Sequence, residues 1–206
     1  MSNIKGEAIV MDVDQVLLDY YSRLREYINT KYELSVEGLP INWGLTEWLG
    51  VTEGEAYDLI EEFSQTFEFG TLDAFPGADV ILHKLLQEGY YLICVTAAGS
   101  ADITQALRRA NLFHRFGDIF EEIHFTELTG SKVDALNDIN SRYDVVAFVD
   151  DKPANIIDAL EHTDIGNVIL MKAPHNREFR KKEGNLFDQA FTWYDCKRLI
   201  ETYIND

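Results

Sequence analysis

Short, almost continuous apolar runs alternate with helical patterns along most of the chain. The runs EAIVMD, YYLICVT and VVAFVD end at Asp12, Thr96 and Asp150, and EEIHFTE (121–127) and NVILM (167–171) have the same character. Apolar runs of this length are typical of strands that are buried on both faces of a parallel sheet. The pattern therefore predicts five buried strands.

Helical patterns lie between these runs. Four segments place apolar residues on one helical face: Val80, Ile81, Leu85 and Leu86; Ile103, Ala106, Leu107 and Ala110; Ile156, Ile157 and Leu160; and Cys196, Leu199, Ile200 and Tyr203. We expect Ser100 to cap the second helix, Pro153 to occupy the first turn of the third, and TWYD (192–195) to form a capping box at the fourth. Strands that alternate with helices predict a doubly wound α/β sheet.

The segment between Leu18 and Phe75 interrupts this alternation, because it contains no convincing strand. We therefore predict a core domain formed by residues 1–17 and 76–206, with a helical cap formed by residues 18–75. The charged segment REFRKKEG (177–184) is expected to be a solvated surface loop. Within the cap, TEGE (52–55) predicts a capping box. Two apolar stripes of the cap have helical spacing: Tyr21, Leu24 and Ile28; and Ala56, Leu59, Ile60, Phe63 and Phe67.

The charge composition of the chain disfavours some classes of binding partner. The 206 residues include 36 acidic and 18 basic side chains, which gives a formal net charge of −18. A field of this sign repels nucleic-acid backbones and anionic membranes, so a polynucleotide substrate is disfavoured. The chain has two cysteines, Cys94 and Cys196, which do not form a Cys-x-x-Cys motif. The N-terminal residues do not resemble a signal peptide, and no apolar run is long enough to span a membrane. We expect a reduced, soluble, cytoplasmic protein.

Polar side chains cluster where the predicted strands end, and in open α/β sheets ligands bind at the carboxyl ends of the strands. Closely spaced carboxylates repel each other, and a hard divalent cation such as Mg²⁺ prefers oxygen ligands of this kind. No Cys/His cluster is present to select zinc, and His124 is expected to be a hydrogen-bonded structural residue. We expect four acids, one hydroxyl and one ammonium to converge on a single crevice with Mg²⁺: Asp12, Asp14, Asp150, Asp151, Thr96 and Lys132.

This combination of side chains predicts hydrolysis of a phosphate monoester. Mg²⁺ and Lys132 would neutralise the phosphoryl oxygens, and Thr96 would donate a hydrogen bond to one of them. Asp12 could then attack phosphorus and form an aspartyl-phosphate. Asp14 could protonate the leaving alcohol and later deprotonate the attacking water.

The motifs Asp12-x-Asp14, Thr96, Lys132 and Asp150-Asp151 resemble, in the same order, the four motifs of the haloacid dehalogenase superfamily. Several longer segments are more specifically similar to the 5'(3')-deoxyribonucleotidases: DVDQVLLDYY, FEFGTLDAFPGA (67–78), VDDKPANI, VILMKAPHN and FTWYDCKRLI. The resemblance covers essentially the whole chain. It implies a Rossmann-like core with a small helical cap inserted after the first strand.

The resemblance also implies roles for individual residues. Asp12 would be the nucleophile and Asp14 the acid/base. Mg²⁺ would be held by the side chains of Asp12 and Asp150 and by the backbone carbonyl of Asp14. Asp151 would act through water or orient its neighbours, and Tyr20 would stack on the base of the substrate.

Three departures from the family pattern bear on substrate identity. Gln15 replaces a glycine, Ala97 replaces a hydroxyl residue, and the loop TELTGSK before Lys132 lacks an arginine. We expect a Mg²⁺-dependent phosphomonoesterase for deoxyribonucleoside monophosphates. The alternatives are a phosphatase of the same fold for another small metabolite, such as a sugar phosphate, and a non-catalytic phosphate-binding module. The nucleotide is favoured because the cap is rich in aromatic residues: Tyr20, Tyr21, Trp43, Trp48, Phe67 and Phe69.

Overall fold

The computed structural model describes residues 4–183 and 186–205. In this part of the chain six strands form one sheet, in the order β3-β2-β1-β4-β5-β6, and every neighbouring pair is parallel. The strands are β1 (Glu7–Met11), β2 (Tyr91–Ala97), β3 (Glu122–Thr126), β4 (Asp144–Asp150), β5 (Val168–Met171) and β6 (Asp188–Ala190).

Helices connect the strands and cover the sheet. Between β1 and β2 the chain forms α1 (Tyr20–Tyr32), α2 (Leu45–Leu49), α3 (Glu53–Phe63), a 3-10 turn (Phe69–Thr71) and α4 (Ala78–Gln87). The later helices are α5 (Asp102–Phe116), α6 (Val133–Asn140), α7 (Pro153–His162), a 3-10 turn (Pro174–Asn176), α8 (Arg177–Glu183) and α9 (Trp193–Asn205).

The two faces of the sheet belong to two separate hydrophobic clusters. On β1, Ile9 and Met11 pack into the cluster that contains α4, α5 and α9, whereas Ala8 and Val10 pack into the cluster that contains α6 and α7. Alternate side chains of a strand point to opposite faces, so this division places helices on both sides of the sheet. The predicted doubly wound α/β class is confirmed, and so are the five predicted strands.

Some local predictions are wrong. Ser100 does not cap α5, because Ala101 occupies the N-cap position and its side chain accepts no capping hydrogen bond. The described part of the segment 177–184 is the helix α8 rather than a loop, with Glu178 and Lys181 forming an ion pair one turn apart. The sequence did not predict β6, because Ala190 is the only buried residue of its three and leaves no apolar run.

The helical insert leaves and rejoins the core through two paired segments. The Asp19 N–H donates to the Asp73 carbonyl, and the Phe75 N–H donates to the Leu17 carbonyl, each at 2.9 Å. These bonds hold the outgoing and returning segments together next to the end of β1. The division of the chain into a core and a cap at residues 18 and 75 stays a prediction.

The predicted capping boxes are confirmed at Thr52–Glu55 and at Thr192–Asp195. Phe67 was expected to extend the apolar stripe of α3, but its side chain is exposed. Cys94 and Cys196 are both buried and unpaired.

No helix in the described part of the chain is both long enough and apolar enough to cross a membrane.

Candidate active site

The strand order places the predicted site residues at one edge of the sheet. The winding of the chain reverses between β1 and β4, which is where open α/β sheets form a ligand crevice. Asp12 directly follows β1, and its N–H donates to the Val149 carbonyl at 2.9 Å. Asp150 is the last residue of β4, so the two carboxylates emerge from adjacent strands.

Lys132 lies between these two carboxylates. It occupies the N-cap position of α6, and its ammonium is 2.6 Å from Asp12 Oδ1 and 2.8 Å from Asp150 Oδ2. Burial acts to lower the pKa of Lys132, but the two carboxylates outweigh it and hold that pKa above its ordinary value. Lys132 is therefore a fixed positive charge at neutral pH.

The two acids at the end of β4 are held differently. Asp150 accepts hydrogen bonds from Asn155 Nδ2 at 2.9 Å and from the Lys152 N–H at 2.8 Å, so the protein fixes the position of both of its oxygens. Neither oxygen of Asp151 has a hydrogen bond of good geometry within the described residues, although His175 Nε2 lies 3.0 Å from Oδ2. The carboxylate oxygens of Asp151 can therefore accept a further positively charged partner.

The cluster fits a divalent cation. Ligand oxygens of Asp12, Asp150 and Asp151 lie within 4.8 Å of one another. Burial raises the pKa of Asp12 well above its ordinary value, Lys132 acts in the opposite direction, and the neighbouring carboxylates raise it further. One ammonium cannot neutralise three buried carboxylates, whereas an ion with two positive charges and oxygen preference can. Participation of the Asp14 backbone carbonyl stays a prediction.

Asp14 is paired with Arg108, a partner that the sequence did not indicate. Arg108 Nη2 lies 2.7 Å from both carboxylate oxygens of Asp14. Burial raises the pKa of the Asp14 carboxyl above its ordinary value, and the guanidinium opposes that shift without cancelling it. Asp14 is thus held by a cation of its own, separate from Lys132.

Thr96 lies at the carboxyl end of β2, as predicted, and is fully buried. Its hydroxyl has no hydrogen-bond partner among the described residues, and a buried hydroxyl without a partner is unfavourable. A ligand oxygen would satisfy it, but Thr96 lies outside the lining of the cavity described next. Its predicted contact with a phosphoryl oxygen stays a prediction.

A cavity of about 240 Å³ opens over this cluster. Asp12, Asp14, Lys132 and Asp151 contribute to its lining. Its aromatic wall consists of five further residues: Tyr20, Tyr21, Trp43, Tyr57 and Phe69. Two of the expected aromatic residues lie elsewhere, since Trp48 packs against Tyr21 without lining the cavity and the Phe67 side chain is 74% exposed.

Gln15 keeps the turn that a glycine would normally form. Its φ of 60° lies in the left-handed region, which costs a non-glycine residue about 1–2 kcal/mol. With its amide oxygen turned toward α1, Gln15 accepts hydrogen bonds from the N–H groups of Tyr21 at 2.8 Å and Tyr20 at 3.1 Å. Two hydrogen bonds of about 1 kcal/mol each offset a strain of this size. The departure therefore preserves the turn and ties the loop after Asp12 to the first helix of the insert.

Among the buried residues beside the predicted acids, sequence reasoning missed Arg108, His175 and Asn155. His175 follows the carboxyl end of β5, so the rule that located Asp150 would also have indicated it. Arg108 carries no such signal, because a charged residue within an amphipathic helix is usually expected on the solvent side. His124, by contrast, is hydrogen-bonded to Glu122 at 2.7 Å, as expected for a structural residue.

Comparison with known proteins extends the geometric description. One relative, from Chlorobaculum tepidum, is named "Putative 5'(3')-deoxyribonucleotidase" and is 35% identical over 92 residues. That stretch covers 43% of this chain and 45% of the relative, which is less than two thirds of the relative's length.

Solved structures share the fold. A "predicted phosphatase" from Clostridium acetobutylicum has 17% identity and a TM-score of 0.68, over 98% of this chain and 100% of that one. A haloacid dehalogenase superfamily hydrolase from Ehrlichia chaffeensis has 16% identity and a TM-score of 0.58, over 96% and 97% of the two chains. At this identity the structural likeness supports the fold alone.

A family model matches nearly the whole chain, from residue 7 to residue 203, and its description is 5' nucleotidase, deoxy (pyrimidine), cytosolic type C protein. This match confirms the resemblance to deoxyribonucleotidases that the motifs indicated. The chain has the fold of the haloacid dehalogenase superfamily and belongs to the 5' nucleotidase, deoxy (pyrimidine), cytosolic type C family.

Proposed function

We propose that this protein is a Mg²⁺-dependent phosphomonoesterase that dephosphorylates deoxyribonucleoside monophosphates through an aspartyl-phosphate. The observation that carries the proposal is one arrangement: Asp12, Lys132 and Asp151 line the same cavity as a wall of aromatic side chains. The charged groups suit a phosphate and the wall suits a flat base. The family description and the name of the Chlorobaculum tepidum relative support the same substrate class.

The chemistry follows from the charges around Asp12. An oxygen of its carboxylate attacks phosphorus, and the bond from phosphorus to the ester oxygen breaks. Asp14 transfers a proton to the departing alcohol, so the alcohol leaves neutral. Water then attacks phosphorus, Asp14 takes the proton, and the bond to Asp12 breaks to release inorganic phosphate. Throughout, Lys132 supplies fixed positive charge next to the anionic phosphoryl group.

Asp12, Asp150 and Asp151 would hold the cation. When bound, it would offset the negative charge of the phosphoryl oxygens, which otherwise repel an attacking carboxylate.

Removing divalent ions should lower turnover by at least about a hundredfold, because a bound metal ion contributes several kcal/mol of charge stabilisation. Mg²⁺ should restore more activity than Ca²⁺, which takes longer bonds and a looser coordination. The measurement is phosphate release in chelator, followed by titration with each ion. As a second readout, Mg²⁺ should raise the thermal midpoint of the wild type more than that of Asp150→Asn. Full turnover in chelator would contradict metal dependence.

The preference for a deoxyribose rests on the polar groups available in the cavity. A buried ribose 2'-hydroxyl needs a hydrogen-bond partner, or its burial is unfavourable. The Ser64 hydroxyl already donates to the Ile60 carbonyl at 2.6 Å, and the Asn155 amide donates to Asp150. With these donors engaged and five aromatic side chains in the wall, we expect a sugar without the 2'-hydroxyl to fit better.

We expect Tyr20 to recognise the base. Its ring lines the cavity and is fixed edge-on between Phe63 and Phe69, at centroid distances of 5.4 and 6.4 Å. Tyr20→Leu should lower kcat/KM for dTMP by about tenfold or more, since stacking of a base on an aromatic ring is worth about 1–3 kcal/mol. For p-nitrophenyl phosphate, which has no base, the loss should be much smaller.

Leucine is the suitable replacement, because the Tyr20 side chain is nearly buried and alanine would leave a cavity. Tyr32→Leu is the matched control: it removes an exposed tyrosine from the same helix, outside the cavity. Equal losses on both substrates for Tyr20→Leu would make Tyr20 a packing residue.

The experiment that tests the proposed function is phosphate release from a panel of deoxyribonucleotides, ribonucleotides and sugar phosphates. A preference for deoxyribonucleotides supports the proposal. A preference for a sugar phosphate would leave the phosphatase chemistry standing and change the substrate. No release from any ester would favour a phosphate-binding module.

The word "cytosolic" in the family description supports the cytoplasmic location that we expected.

A further inference from the structure

Arg108 is a buried cation placed against the proposed general acid. Its side chain is 0% exposed, whereas that of Asp14 is 26% exposed and contributes to the lining of the cavity. Nη2 of Arg108 lies 2.7 Å from both oxygens of Asp14. One side of the carboxylate is thus held by the protein while the residue still reaches the space where a substrate would lie.

The guanidinium is itself fixed by an aromatic ring. Its central carbon lies 4.1 Å from the centroid of Phe69, within the range of a cation–π contact. Phe69 is buried and belongs to the cavity wall, with its ring edge-on to Tyr20. Arg108 therefore contacts the acid and the aromatic wall at the same time, which leaves it little rotational freedom.

The backbone that carries Arg108 is fastened to the returning segment of the insert. Asn111, one turn further along α5, exchanges two hydrogen bonds with the backbone of Leu72, at 3.1 and 3.0 Å. Arg115 Nε donates to the Leu72 carbonyl at 2.7 Å. These polar contacts of α5 hold the helix against the segment that contains Phe69.

Stability alone does not account for this arrangement. Nε and Nη1 of Arg108 are buried and have no hydrogen-bond partner among the described residues. A buried ion pair with unsatisfied donors is often no more stable than well-packed apolar side chains. Local departures of this kind are expected where a site needs them for function.

We propose that Arg108 is a positioning residue, which holds the Asp14 carboxylate in the orientation from which it exchanges a proton with the leaving alcohol and with water. This inference rests on the proposed function. Proton transfer requires the acid within hydrogen-bond reach of the ester oxygen, and a small misplacement is costly. A carboxylate held through both of its oxygens cannot rotate away from that position.

The test compares Arg108→Met and Arg108→Lys with the wild type, using kcat/KM in saturating Mg²⁺. For dTMP, whose alcohol is a poor leaving group, Arg108→Met should lose about tenfold to a hundredfold. For p-nitrophenyl phosphate, whose leaving group needs no proton, the loss should stay within about threefold. Arg108→Lys should recover part of the activity on dTMP, because it keeps a positive charge. Arg109→Met, at the adjacent exposed position, should change neither substrate.

The double variant Asp14→Asn/Arg108→Met decides whether Arg108 acts through Asp14. If it does, the double variant should equal Asp14→Asn alone on dTMP. This variant replaces both charges with neutral groups, so it remains informative if Arg108→Met alone does not fold. Equal losses on both substrates, or a further full loss in the double variant, would overturn the inference. An inactive wild type would instead overturn the proposed function, which is a distinguishable result.

Discussion

Asp12→Asn should abolish turnover, with a loss of at least about four decades in kcat, because the amide cannot form the covalent intermediate. The variant should still fold. Asparagine has nearly the same volume, and Lys132 keeps its ion pair with Asp150 at 2.8 Å. The measurement is phosphate release from dTMP, together with circular dichroism to verify the fold.

Two further observations sharpen this test. With p-nitrophenyl phosphate, Asp12→Asn should release no burst of nitrophenolate, because the first chemical step is the one removed. Asp144→Asn is the matched control: it changes an exposed carboxylate at the opposite, amino end of β4 and should leave turnover unchanged. If Asp12→Asn retained activity within tenfold of the wild type, Asp12 would not be the nucleophile.

The cluster around Asp12 could be located from the sequence because charge at the end of an apolar run is a strong local signal. Asp12 and Asp150 interrupt such runs, and the parallel arrangement brings the ends of adjacent strands together. The residue types then indicated the chemistry, and the structure places Lys132 within 2.8 Å of both carboxylates.

The inward face of α5 could not be predicted in the same way. Its apolar residues Ile103 and Ala110 are exposed, and its buried positions include Thr104, Arg108 and Asn111. Hydrophobic periodicity assumes that apolar residues face the core. Arg108 and Asn111 instead contact the Asp14 carboxylate and the backbone of Leu72, so polar side chains are complementary there, while the next buried residues, Leu112 and Phe116, pack into the core. That complementarity exists only after the chain has folded.

The second large effect is expected for replacement of Asp14, the carboxylate that is paired with Arg108. Asp14→Asn should lower kcat/KM for dTMP by about 10²–10⁴-fold, the usual contribution of a general acid. For p-nitrophenyl phosphate, kcat/KM reports steps up to loss of the leaving group, which needs no proton. That value should stay within about tenfold of the wild type, although kcat should fall because the aspartyl-phosphate then lacks a base for its hydrolysis.

The decisive signature of Asp14→Asn is therefore a burst of about one nitrophenolate per active site, followed by slow turnover. The variant should fold, because the asparagine carbonyl can still accept a hydrogen bond from Arg108. Asp73→Asn is the matched control: it removes another carboxylate paired with an arginine of α5, Arg115 at 2.6 Å, but that carboxylate is 82% exposed. Asp73→Asn should change neither substrate. Equal losses of kcat/KM on both substrates, without a burst, would show that Asp14 supports the site rather than transferring the proton.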